Sequence, residues 1–564
     1  MIEVLSTNIT SPLGTTTEQN YQTVRSGGSA LSSYASWKNI PETFTASLFN
    51  EEQVSALTIQ GFTFFESIVI RSVREALSHT DVDVASGRTV FILSTTKANV
   101  SELASDECND GPYLKPGSAA RKIASYLGFT TDPVVVCNAC ISGVTAQILA
   151  DRLLSCGHYD HAVVCGADCI SPFVLSGFMS FKSLSPDECR PFDIERLGLN
   201  LGEAASTIIF GISDGSSTGR WKLVDGALNN DAYHISAPAP NGDGALGVIE
   251  KTLEGRGSDS LAMVNVHGTA TMFNDQMESK AIERASLSHI PLSALKGYYG
   301  HTLGASGTLE TIISMRSLDE GCILPVRGYE EQGVSGRITI SNTETATDKQ
   351  SFLKMISGFG GCNGAVLYSK EAVDVDVKRN VAPKVAHRVH LTESSLSIDG
   401  KDVEVSSRGK ALLTEIYRTY IGDYPKFHKM DMFTKLVFAA SELLIRQEGE
   451  GIAASDRAII LFNASSSIVA DRKHLSTIDS AEGFFPSPSV FLYTLPNIVT
   501  GEIAIKHNYT GETSLYILNE RNDELIARIV GSSFARSGCT SMITGWVECG
   551  SEESFEADIE ILTE

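Results

Sequence analysis

Short apolar runs, punctuated by polar turns, recur through the first part of the chain. Residues 88–93 (RTVFIL), 132–136 (DPVVV) and 162–165 (AVVC) read as buried strands, and residues 144–156 carry an apolar stripe at helical spacing. Strand, helix and strand at this spacing predict a parallel sheet covered by helices on both faces. The texture returns further on. Residues 262–266 predict a strand, 275–285 and 308–318 predict helices, and 352–356 with 365–368 predict a hairpin around a glycine-rich turn. Residues 371–408 mix acidic and basic positions around Pro383 with few apolar runs, and read as a linker. The last stretch echoes the first: 457–462 (RAIILF) resembles 88–93, and 503–518 can be laid on 134–149. With a one-residue gap, that alignment sets Gly511 against Gly143 and Asn508 where Cys140 stands. The expected organisation is a first unit over 1–215, a second over 216–370, a linker over 371–408 and a degenerate repeat of the first unit over 409–564.

Composition narrows the function classes. The 564 residues carry 45 Lys and Arg against 68 Asp and Glu, a formal net charge of -23. Such a chain repels phosphate backbones and anionic membrane surfaces, so no nucleic acid partner is expected. No run of about 18 apolar residues predicts a membrane span, and the N-terminus lacks the basic start and apolar run of a signal peptide. Eleven cysteines include a single CxxC, Cys137 and Cys140, with no second pair to complete a zinc site. A cytoplasmic protein with reduced, mostly buried thiols and no metal is the expectation.

Three segments carry candidate chemistry. Cys140 falls at a strand end immediately before a helix, where unpaired N–H groups and the positive dipole end favour a thiolate near neutral pH. A buried structural thiol is the competing reading. His267, in HGTAT, ends a predicted strand, and His301 lies in the glycine-rich KGYYGHTLGASG. Either histidine alone reads as structural; with Cys140 they form a stronger constellation. The run Ser357 to Gly364 (SGFGGCNG) lacks the GK[ST] of a phosphate loop.

Taken in order, SPLG (11–14), NAC at Cys140, CRPFD (189–193), RLGLNLGEAA (196–205), HGTATMFND (267–275), KGYYGHTLGASG (296–307) and GFGGCN (358–363) resemble the β-ketoacyl-acyl-carrier-protein synthases of the two-histidine type. The resemblance covers about residues 1–370. It implies an α/β, thiolase-like layered α-β-α-β-α fold from two related halves, followed here by a third, half-like α/β repeat similar to chain-length factors. It implies decarboxylative condensation of an acyl thioester on Cys140 with a malonyl thioester, in fatty acid, polyene or polyketide-type synthesis. Cys140 would be the nucleophile, and His267 and His301 would stabilise the enolate. Lys296 and Glu310 would support His301, and the amides of Cys140 and Phe359 would form the oxyanion hole, with Phe359 as gate. Thr269 and Thr271 would touch the phosphopantetheine arm of an acyl carrier protein. No cofactor beyond that arm is implied, and a homodimer or internal pseudo-dimer is. HGTAT in place of HGTGT, Leu197 in place of Asp, and GEA in place of GEG depart from the family pattern.

The repeat holds no cysteine at HNYTG and is expected to be catalytically dead. Its basic stretch at Lys426 and Lys429, with Lys115, Arg121 and Lys122 of the first unit, is the expected carrier-docking face. Two other readings stand beside this one. One is a non-catalytic partner of another synthase. The other is a biosynthetic thiolase using Cys362 as a second cysteine.

Overall fold

The computed structural model describes residues 2–104, 114–213, 219–371, 383–448, 457–478 and 483–564. The first unit threads β1 (Ile2–Thr10), α1 (Phe64–Leu77), β2 (Thr89–Ser94), α2 (Pro116–Leu127), β3 (Val134–Val136), α3 (Ser142–Ser155), β4 (His161–Asp168) and β5 (Ala204–Ile212). β2 runs parallel to β3 and β4, and β5 runs antiparallel to β4 and β1. β2 is buried along its whole length because helices cover both faces, which is why it reads as an unbroken apolar run. α1 starts at a capping box: Thr63 accepts from the Glu66 amide while Glu66 reaches back to the Thr63 amide.

The second unit adds β6 (Lys222–Asn230), α4 (Asp243–Thr252), β7 (Met263–Asn265), α5 (Met272–Arg284), β8 (Pro291–Ser293), α6 (Ser306–Asp319), β9 (Ser351–Gly358) and β10 (Cys362–Ser369). β9 and β10 form the expected antiparallel hairpin, β7 runs parallel to β8 and β9, and β6 runs antiparallel to β10.

The last region holds β11 (Lys384–Thr392), α7 (Met432–Ile445), β12 (Arg457–Asn463), α8 (Ile498–His507), β13 (Thr513–Ile517), α9 (Asp523–Ser537), β14 (Ser541–Ser551) and β15 (Ser554–Thr563). β12 is parallel to β13 and β14, and β15 is antiparallel to β14 and β11. These are the neighbours and senses of β1 to β5 in the first unit.

Two expectations need correcting. Residues 384–403 are not linker: β11 pairs along its length with β15, and Leu396–Ile398 and Lys401–Val403 extend the sheet. Only Val389 and Leu391 of β11 are buried, so it shows no apolar run. Residues 372–382 lie outside the described residues. The alignment of 503–518 on 134–149 lays a helix on a strand, since α8 runs to His507 and ends in Asn508 as a left-handed cap. Strand pairing gives the true register. Ile517 lies beside Asn463 as Val136 lies beside Ser94. From those strand ends α3 and α9 each begin six residues on, at Ser142 and Asp523. The counterpart of Cys140 is therefore Arg521, not Asn508.

The two sheets join edge to edge. β3 and β13 pair antiparallel, Val136 with Tyr516 and Val135 with Ile517, and the Cys137 amide donates to the Leu515 carbonyl at 3.2 Å. Apolar cores run across this seam on both faces of the sheet. Buried charge pairs pin it: Arg152 binds Glu512 through two bonds of 2.7 and 2.8 Å, and Arg536 pairs with Asp151. No helix among the described residues is long and apolar enough to cross a membrane.

Candidate active site

Cys140 sits in the turn between β3 and α3, a single 3-10 turn over Ala139–Ile141. Ala139 takes a left-handed φ of 48°, a conformation costly for a side-chain-bearing residue and held by its packed surroundings. The opposing close approach is made by glycines: a Cβ on Gly143 would meet the backbone of Gly307 and Thr308 at 2.9 Å. The turn places the Cys140 sulfur 3.0 Å from Nε2 of His301. One ring nitrogen of His267, one of His301 and this sulfur all lie within 4.8 Å of one another. The two imidazoles meet edge to face, 5.0 Å between centroids.

The protonation pattern follows from the partners. Nδ1 of His301 accepts from the Leu303 amide at 3.2 Å and is bonded to the Ser306 hydroxyl at 2.9 Å. Neutral His301 therefore carries its proton on Nε2, aimed at the sulfur. Burial, with Lys296 and Lys354 nearby, holds both histidines well below their ordinary pKa, so both are uncharged at neutral pH. Burial also pushes the Cys140 thiol up to about 12, although Lys296 and the amides of Cys140 and Phe359 pull it down. The expected thiolate near neutral pH is thus corrected: desolvation outweighs the helix end and favours the neutral thiol.

Behind the histidines lies a buried charge cluster. Lys296 Nζ donates to the His267 carbonyl at 2.6 Å and to Glu310 at 2.7 Å. Lys354 Nζ binds the other Glu310 oxygen at 2.5 Å. Burial opposes charge on Glu310, but the two lysines outweigh it and hold the carboxyl below its usual range. Burial, with Lys296 beside it, lowers Lys354 to about 8, against the pull of Glu310. Glu278 accepts from the amides of His267 and Gly268 at 2.7 and 2.8 Å and so fixes the histidine turn. Lys354 and Glu278 were not foreseen: a lysine within a strand and an acid nearly two turns into α5 look ordinary in sequence. The Cys-His-His trio has the spacing of a soft-metal chelate. The two buried ammonium groups beside it disfavour a further cation.

A pocket leads from solvent to Cys140, walled by His267, His301, Thr269, Thr271, Phe273 and Phe359 among others. Thr269 and Thr271 share a hydroxyl–hydroxyl bond of 2.9 Å. Phe359 lies between Phe178 and Phe181, with centroids 6.1 and 5.4 Å away. Beside the sulfur a second, very small cavity is lined by Thr96, Lys97, Val174 and Phe178 together with Phe491 and Leu495 of the last region. That region also reaches the glycine turn: Asn497 Nδ2 donates to the Phe359 carbonyl at 2.8 Å. Gly501 packs on Gly360 so closely that a Cβ would overlap its carbonyl. Nothing in the sequence around Asn497 signalled this. Cys362 is buried under the turn, its thiol bonded to the Phe359 carbonyl at 3.3 Å and pushed up by burial, and does not wall the pocket.

The expected docking cations are mostly committed. Lys426 binds Glu502 at 2.7 Å, Lys122 binds Glu66 at 2.6 Å, and Arg121 pairs with Asp132. Lys115 and Lys429 are exposed.

Comparison with known proteins agrees with this geometry. Residues 1–210 match the β-ketoacyl synthase N-terminal domain and residues 222–330 the β-ketoacyl synthase C-terminal domain. A putative mitochondrial 3-oxoacyl-[acyl-carrier-protein] synthase of Schizosaccharomyces pombe is 28% identical over 271 residues, 44% of this chain and 64% of that protein. Nodulation protein E of Rhizobium meliloti is 31% identical over 229 residues, 39% of this chain and 57% of that protein. The chain thus spans 64% and 57% of the length of these two relatives. A solved structure described as PfaC keto synthase–chain length factor superposes with a TM-score of 0.77 at 14% identity, covering 100% of this chain and 78% of that one. That likeness shows the fold, including the last region, which neither domain match reaches. With both domain matches falling in order on the units that carry Cys140, His267 and His301, the chain belongs to the β-ketoacyl synthase family.

Proposed function

We propose that the protein is a 3-oxoacyl-acyl-carrier-protein synthase that condenses an acyl group held on Cys140 with a malonyl group on an acyl carrier protein. The observation that carries this is the Cys140 sulfur 3.0 Å from Nε2 of His301, with His267 alongside, at the end of a pocket open to solvent. In the first half-reaction the sulfur attacks an acyl thioester, its proton passes to the departing pantetheine sulfur, and the acyl group becomes a thioester of Cys140. The amides of Cys140 and Phe359, which already point at the sulfur, receive the tetrahedral oxyanion. In the second, a malonyl thioester loses CO2, and N–H donors of His267 and His301 meet the charge on the enolate oxygen. The enolate carbon attacks the Cys140 thioester; the oxyanion collapses, the 3-oxoacyl carrier leaves, and the thiolate regains a proton from water.

Lys296 and Glu310 hold the histidine backbone rather than touching substrate, and Thr269 and Thr271 line the path of the phosphopantetheine arm. No other cofactor enters this scheme, and its setting would be the cytoplasm. The last region serves as a built-in partner: it lacks the nucleophile, pairs with the first unit along the seam and lines the small cavity beside the sulfur with Phe491 and Leu495. Of the basic face, Lys115 and Lys429 are the exposed cations left to meet an acidic carrier. The reading of the whole chain as a non-catalytic partner loses ground to the intact trio, and the thiolase reading to the buried Cys362.

The test is intact-mass analysis after incubation with a panel of acyl carrier proteins, with CO2 release from malonyl carrier measured alongside. Acylation at Cys140 and release of CO2 are expected; a protein that takes no acyl group from any carrier refutes the assignment.

A further inference from the structure

The two amides that face the Cys140 sulfur, its own and that of Phe359, lie on turns far apart in sequence. Both turns are gripped by the last region through buried polar side chains. Asn497, at the start of α8, donates from Nδ2 to the Phe359 carbonyl at 2.8 Å. Asn230, at the end of β6, donates from Nδ2 to the Gly360 carbonyl at 2.7 Å and to the Thr513 hydroxyl at 3.0 Å. The Thr513 carbonyl accepts from Asn138, two residues before Cys140, at 3.0 Å. Thr513 therefore reaches both turns, its hydroxyl toward one and its carbonyl toward the other.

Packing alone does not account for Asn497. Its Oδ1 is buried with no hydrogen-bond partner among the described residues, a placement that costs stability and that an apolar side chain of similar size avoids. What the amide supplies, and an apolar group cannot, is the N–H aimed at the Phe359 carbonyl. That carbonyl otherwise receives the Cys362 thiol at 3.3 Å, a weak donor. Gly358 precedes Phe359 and Gly360 follows it, so the backbone lends this turn little stiffness of its own. A donor to an oxyanion works when it is set in advance where the charge develops.

We propose that Asn497, with Thr513 acting through Asn230 and Asn138, is a positioning residue for the oxyanion hole: the degenerate copy supplies no reacting group but fixes the two amides that meet the tetrahedral oxyanion at Cys140. The inference rests on the condensing reading above. It divides the reaction in two. Formation of the Cys140 thioester and attack upon it both pass through that oxyanion and need the hole. Loss of CO2 puts its charge on the enolate oxygen, which His267 and His301 meet, and does not need it.

The experiment compares the full chain with Asn497→Leu and Thr513→Val, two substitutions that keep side-chain bulk and remove the polar contact. Acylation of Cys140 by acetyl-pantetheine is followed by intact mass in the pre-steady state. CO2 release from malonyl-pantetheine, offered without an acyl donor, is measured on the same preparations. Asn497→Leu is expected to slow acylation about tenfold or more while CO2 release changes by less than about twofold, and Thr513→Val to show the same split with a smaller loss. If Asn497→Leu does not fold, Thr513→Val decides on the same two readouts. Acylation at the unaltered rate overturns the positioning role alone. So does an equal loss of both rates, which makes these residues general supports of the pocket. A protein that in unaltered form takes no acetyl group refutes the condensing reading and the positioning role with it.

Discussion

The turn after β3 and the turn after β13 occupy the same place in two copies of one strand order, yet they do opposite work. The first holds Cys140, buried and 3.0 Å from a histidine of the neighbouring unit. The second holds Arg521, exposed and bound to Asp523 at 2.7 Å and Asp558 at 2.9 Å. A strand end before a helix is a favourable place for a nucleophile, but chemistry arises only where a second unit supplies the histidines. In the last region the buried polar groups are spent on the seam instead. Glu512 binds Arg152, and Asp471 binds Lys97 of the first unit at 2.5 Å.

Cys140→Ala should abolish the contrast by making the first turn as inert as the second. Condensation should fall by about 10^3-fold or more while the melting temperature stays within about 2 °C. A rate near that of the unaltered protein in a carrier elongation assay would remove Cys140 from the mechanism. His267→Ala and His301→Ala should each slow CO2 release by about 10^2-fold or more, because each removes a donor to the enolate. They should differ in acylation of Cys140: His301→Ala slows it, since Nε2–H supports the sulfur, and His267→Ala does not. Equal acylation losses in pre-steady-state mass measurements would contradict this division.

At the seam, Glu512→Gln leaves the Arg152 guanidinium buried without its anion. It should cost about 3–5 kcal/mol in denaturant unfolding. Arg521→Ala, at the exposed counterpart of Cys140, should cost under about 1 kcal/mol and leave condensation unchanged. A large activity loss there would show that the dead copy still shapes the site.

The pH dependence of stability has a defined sign. Burial raises the thiols of Cys137, Cys140, Cys165 and Cys189 to about 12 in the folded chain, from an ordinary value near 8.5. Their contribution is complete below about pH 8.5 and is lost as pH rises toward 12, because only the unfolded chain ionises in that window. Lys354, lowered to about 8, acts in the opposite sense between about 8 and 10, and is outnumbered by the raised thiols. Denaturant midpoints should therefore fall from about pH 9 upward, and more shallowly in Cys165→Ala.

The sequence by itself determined the elements and the reactive set. Strands such as β2 and β4 are buried on both faces, so their apolar runs are local facts, and the glycine-flanked Cys140, His267 and His301 stood out by their turns. It misplaced what depends on pairing. β11 is half exposed and hides among mixed charges, and the register of the last copy follows from which strand lies beside which. Letter matching chose Asn508, whereas the β12–β13 ladder selects Arg521. Only the tertiary structure decided the state of the site. Burial sets the thiol and imidazole protonation, two distant lysines converge on Glu310, and Asn497 reaches the Phe359 turn from the far end of the chain. Desolvation and long-range contact are properties of the packed whole, and local sequence carries no record of them.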